Sequence, residues 1–124
     1  MGKQLSAHFH SDEFRCKGNE KGICNCAGEE IDMDIHLIND LEMVRAHFQK
    51  PVIITSGYRC LIYNRYIGSS DDSQHPKKTA SDIQVPGVDP SEVYDFLMYH
   101  IGGLGRYPTF THLDERGTKA RWDG

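Results

Sequence analysis

No hydrophobic run in this 124-residue chain approaches the roughly 20 residues that a membrane-spanning helix needs. The opening "MGKQLSAHFHSDEF" carries a lysine with no apolar stretch behind it, so it does not read as a secretory signal. The product is therefore expected to stay in the cytoplasm of the cell that makes it, unless lysis or another factor releases it. Basic runs are scarce too: none exceeds Lys77-Lys78, the net charge is −4, and the aromatics do not interleave with Lys or Arg. Nucleic acid is thus not an expected partner. Repeats and low-complexity segments are absent. The length fits one domain over residues 1–124, expected to be a monomer.

Cysteine is sparse but pointed: Cys16, Cys24, Cys26 and Cys60. Cys24 and Cys26 are one residue apart and are better placed to share an ion than to bond each other. Two disulfides, a structural zinc and free buried thiols all fit the spacing, and the lack of a signal sequence weakens the disulfide reading. The surrounding "CKGNEKGICNCAGEE" is rich in Gly, Asn and Lys, so residues 1–30 read as a loop-rich segment held down by something.

From Ile31 the pattern changes. Ile31, Ile35, Ile38, Leu41, Val44 and Phe48 recur at three- and four-residue steps, the apolar stripe of a core-facing helix. After Pro51, "PVIITS" reads as a short buried strand, and "RCLIYNRYIG" as a short helix or turn. "ASDIQV" alternates as a half-buried strand. Asp89-Pro90 is an N-cap with a first-turn proline, opening a second helix that ends at Gly102-Gly103. "TFTHLDERGTKARW" reads as an antiparallel hairpin. Helices and strands are segregated, which predicts an α+β class: a small antiparallel sheet with helices on one side.

Within this frame, His75 lies in the polar loop "SSDDSQHPKK", Asp82 in the following strand and His112 in the hairpin. On "FTHLD", Phe110, His112 and Asp114 share one face, because side chains repeat every two residues. Two imidazoles and a carboxylate form a known ligand set for a catalytic zinc with an open position. Such an ion lowers the pKa of its water and polarises a carbonyl.

"ITSGYRC", Asn64, "SQH", "ASD" and "GRYPTFTHLDERGTKARW", in this order, resemble the zinc D-Ala-D-Ala carboxypeptidase family, over about residues 5–124. The resemblance implies a hedgehog/DD-peptidase-type fold and an enzyme that cuts peptidoglycan stem or cross-link peptides. It maps the S-x-H-x6-D signature onto Ser73, His75 and Asp82, with His112 as third zinc ligand. It also implies Arg59 as a stabiliser of negative charge, with Ser73 and Tyr58 toward substrate. Two departures stand out. Lys78 occupies the position of a usual glycine, where a φ > 0 turn would be costly. Thr109 and Phe110 replace the Glu or His that relatives place before the third ligand. Asp114 is the remaining candidate for general base, or for orienting a ligand. The alternative is a non-catalytic, zinc-stabilised binding module of the same fold. His8, His10, His36, His47 and His100 read as surface or boundary residues, Glu115 and Arg116 as a charged turn, and Trp122 as a cap on the core.

Overall fold

The computed structural model describes residues 2–26 and 31–124; residues 27–30 of the loop-rich segment lie outside it. Helix α1 spans Ile35–Phe48, where Asp34 caps it by accepting from the N–H groups of His36 and Leu37. The helix buries Leu37, Ile38, Leu41 and Val44, and it stops at Gln49, which is left-handed, just before Pro51. Ile31 precedes the cap, so it is not helical, yet it is buried in the same core. Strand β1 (Ile53–Ser56), helix α2 (Leu61–Tyr66) and strand β2 (Ala80–Gln84) follow. Helix α3 (Pro90–Phe96) starts as Asp89 accepts from Ser91 N–H. Strands β3 (Gly103–Arg106), β4 (Thr111–Asp114) and β5 (Ala120–Asp123) complete the α+β domain.

The five strands run in the order β1-β2-β4-β3-β5. The first four are antiparallel to their neighbours, whereas β5 lies parallel to β3. The expected antiparallel sheet is thus a mixed one, and the expected hairpin between β4 and β5 does not form. Both edges of β4 are taken, by β2 and β3, so the chain leaving β4 crosses β3 and pairs with its far edge. Helix α3 stops at Phe96 instead of running to the expected end at Gly102-Gly103, and the second of these glycines opens β3. β2 is more buried than expected, with Ala80 to Ile83 all inside.

Ile83, Leu104 and Leu113 point to the helices and join Leu37, Leu41, Val44 and Val93 in one apolar cluster. The opposite face carries a polar row. Asp82 pairs across to His112, His112 to Gly105, and Gly105 to Trp122. Directly opposed residues on adjacent strands present side chains to the same face, so this register gathers the site.

The N-terminal segment is anchored more firmly than its composition suggests. Phe9 and Phe14 are wholly buried, a 3-10 turn spans Ser11–Phe14, and Ser6 and His8 bind Glu42 of α1.

Candidate active site

His75 opens a 3-10 turn, His75–Lys77, and is 2% exposed. Its Nδ1 donates to the carbonyl of Gly57 at 2.7 Å, which leaves Nε2 as the lone-pair nitrogen, 3.4 Å from Asp82 Oδ1. Ser73 Oγ accepts from His75 N–H, so this serine shapes the turn that presents the imidazole. The turn closes on Lys78 at φ 63°, the left-handed conformation that the glycine of the resembling signature implied.

His112 is held from both sides. Nε2 lies 2.8 Å from Asp114 Oδ2, and Nδ1 lies 2.9 Å from Asp82 Oδ1. With Nε2–H donating to Asp114, Nδ1 turns a lone pair toward a carboxylate oxygen. Two acceptors at that distance repel unless a proton or a cation lies between them. Burial works against charge on His112, but Asp114 and Asp82 together still lift its pKa above the ordinary value. Burial likewise opposes ionisation of Asp82, and the two imidazoles that face it, His112 first and then His75, outweigh that cost and hold Asp82 well below the usual carboxylate range. One nitrogen from each imidazole and one carboxylate oxygen thus converge, all three residues buried, while the outer nitrogen of each ring has its own partner. That donor chemistry fits a divalent zinc.

Asp114 stands behind the His112 ring. Both its oxygens are engaged: Oδ1 accepts from the N–H of Gly103, and Arg116 grips the carboxylate through Nε at 2.9 Å and Nη2 at 2.7 Å. Arg116 also stacks over Trp122, its guanidinium 5.0 Å from the ring. Sequence reading assigned Arg116 to a charged turn and Trp122 to the core; the structure brings both to the site. The Trp122 ring lies 5.1 Å from that of His112, and its indole N–H donates to Tyr107 Oη.

These groups open onto a cleft of about 360 Å³, lined by the three candidate ligands together with Arg59, Ser73, Tyr107, Phe110, Arg116 and Trp122. Arg59 is half-buried on this cleft, and its Nε is buried with no partner among the described residues. Burial lowers its pKa from an already very basic value, with Asp82 nearby opposing the shift. Tyr58 does not line the cleft: it is buried in the core with the Lys78 ammonium 5.0 Å above its ring. Among the described residues, Asp82 is the sole carboxylate lining the cleft.

The α+β sheet thus sets two histidines and an aspartate, a donor set that could hold a metal ion, in one cleft. A family model described as Peptidase M15 matches residues 7–114, and the chain belongs to this family of zinc metallopeptidases. No curated protein and no solved structure matches it. Among the described residues, no helix is long and apolar enough to cross a membrane.

Proposed function

We propose that this chain is a zinc-dependent peptidase that hydrolyses peptidoglycan stem or cross-link peptides next to a D-amino acid, as a D-Ala-D-Ala carboxypeptidase or an endolysin-type endopeptidase. The observation that carries the reading is the convergence of His75 Nε2, Asp82 Oδ1 and His112 Nδ1 in one cleft. These three residues would hold the ion, which when bound supplies a Lewis acid that polarises the scissile carbonyl and acidifies water.

The residues around them have separable tasks. Arg59 lines the cleft beside Asp82, and its cationic guanidinium suits a substrate carboxylate or a developing oxyanion. Tyr107 and Phe110 stack with ring centroids 4.4 Å apart and, with Trp122, form an apolar wall against which a small side chain can rest. Of the two roles open to Asp114 from the sequence, general base or orienting a ligand, its fully occupied oxygens favour orienting His112.

Zinc content and cleavage of a panel of wall peptides, measured on the parent, His75→Ala and Arg59→Ala, test this. His75→Ala should lose one zinc equivalent and all cleavage. Arg59→Ala should keep its zinc and lose roughly 10²- to 10³-fold in kcat/KM, the usual cost of one charge-stabilising donor. Among the described residues, Asp82 is unaccompanied by a second carboxylate on the cleft, which favours one other reading, a zinc-stabilised binding module. A zinc-loaded parent that binds wall peptides and cleaves none of the panel would establish it.

A further inference from the structure

Away from the cleft, Cys16, Cys24, Cys26 and Cys60 bring their four sulfurs within 4.8 Å of one another. Cys16 Sγ lies 3.6 Å from Cys24 Sγ and 3.8 Å from Cys60 Sγ. Four thiolates arranged tetrahedrally at the usual zinc–sulfur bond length of about 2.3 Å would sit about 3.8 Å apart. The sulfur cage therefore already has the dimensions of a tetrathiolate site. A disulfide, by contrast, would draw one pair to about 2 Å and leave the other two sulfurs behind.

The backbone is arranged around these sulfurs as well. Cys60 N–H points to Cys16 Sγ at 3.5 Å, and Tyr63 N–H to Cys60 Sγ at 3.4 Å. Amide donors aimed at sulfur stabilise it as an acceptor, the state a metal requires. The loop that carries three of the four cysteines is folded on itself: Ile23 N–H bonds Gly18 O at 2.8 Å, and Cys26 N–H bonds Asn19 Oδ1. Gly18 is close enough to Cys24 Sγ that a Cβ there would lie 2.6 Å from the sulfur. The fourth cysteine is the N-cap of α2.

We propose that Cys16, Cys24, Cys26 and Cys60 bind a structural zinc as four thiolates, separate from the ion of the cleft. Binding displaces four thiol protons and leaves a site of net charge −2, which Lys17 and Lys21 in the same loop, with Glu20 between them, offset in part. The site has a structural purpose. Among its described residues, the N-terminal segment has no helix or strand beyond one 3-10 turn, and the ion ties it to the start of α2. It also fixes the chain directly after Gly57-Tyr58-Arg59, the stretch that supplies the carbonyl holding His75 and the guanidinium facing the cleft.

Elemental analysis of protein purified in reducing buffer without added metal is the test. The parent should carry about two zinc ions per chain. His75→Ala should keep one, and Cys24→Ser/Cys26→Ser should keep the other. A folding failure of the cysteine variant is bypassed by titrating the parent with a mercurial reagent in the presence of a zinc indicator. One zinc should be released in step with modification of four thiols, and His75→Ala should release the same amount. Zinc absent from His75→Ala, with four freely titrating thiols or an intact mass four protons short from two disulfides, would overturn the proposal. Iron in place of this zinc would overturn the assignment of the metal. None of these outcomes depends on peptide cleavage, so the proposal stands or falls apart from the peptidase reading.

Discussion

His112 and Asp114 meet on one face of β4, Nε2 to Oδ2 at 2.8 Å, and this contact decides which nitrogen of the imidazole faces Asp82. Asp114 is fully buried and further held by Arg116 and the Gly103 amide. In the proposed site a carboxylate so occupied would orient His112 as a metal ligand and raise its basicity.

Replacing Asp114 with Asn should therefore weaken zinc binding by about 10- to 100-fold, the typical cost of losing such a partner. Cleavage should recover as zinc is raised to saturation, with the fold checked by circular dichroism. A metal titration monitored by activity measures this. If the zinc-saturated variant stays inactive, Asp114 moves protons after all, and the orienting role fails.

The two glycines of β3 are the next test. A Cβ on Gly105 would lie 2.5 Å from Trp122 Nε1 and 2.6 Å from Cε2, and one on Gly103 would run into the Asp114 carboxylate. The indole can reach His112 because nothing stands at Gly105. Gly105→Ala must push Trp122 off the cleft wall or strain the strand, at about 1–3 kcal/mol. Urea denaturation should show that loss, and wall-peptide KM should rise. An unchanged midpoint together with unchanged KM would mean that Trp122 does not shape the cleft.

These glycines also mark where the sequence stops being legible. Helix α1 and the Asp89-Pro90 start of α3 follow from local rules, since caps and 3.6-residue periodicity act within a few residues. Residue type offers His75, Asp82 and His112 as a ligand set, but it takes the family resemblance to single them out, because their meeting depends on the register of β2 with β4, which spacing does not encode. "GLGR" has no apolar alternation, and glycine ordinarily weakens a strand; it is a strand because Asp114 and Trp122 need the space opposite it. The partner of β5 was hidden for a similar reason. A short turn suggests a hairpin, but β3 already held the edge of β4. Arg116 was missed because a turn charge gains its role only when a buried carboxylate lies two residues back.

Lys78 tests how costly its departure from glycine is. A non-glycine residue at φ 63° costs roughly 1–2 kcal/mol. Against that, glycine adds about 0.5–1 kcal/mol of chain entropy to be lost on folding. Removing the ammonium from above Tyr58 forfeits about 0.5–1 kcal/mol more. The terms nearly cancel, so Lys78→Gly should change stability by less than about 1 kcal/mol. Lys78→Val keeps the strain, adds a β-branch and loses the cation, and should destabilise by about 1–3 kcal/mol. Thermal or urea melts of the pair would show it; a Val variant as stable as the parent would refute the strain argument.

Glu115 should make stability depend on pH. It faces Asp40 from α1, with Asp34 at the cap of that helix, His100 beyond α3, and Asp114 and Arg116 beside it in sequence. Burial, then the hydrogen bond and charge of Asp40, raise its pKa from 4.5 to about 9. The folded chain thus holds a proton that the unfolded chain releases above 4.5. Where the unfolded state binds fewer protons, stability falls as pH rises. The contribution of Glu115 should be fully present below about 4.5 and be lost progressively up to about 9. Glu115→Gln keeps a hydrogen-bond donor toward Asp40 at every pH, so the parent's decline in urea midpoint between pH 6 and roughly 9 should flatten in the variant. Parallel slopes for parent and variant would mean that the proton shared by Glu115 and Asp40 is not retained in the folded state.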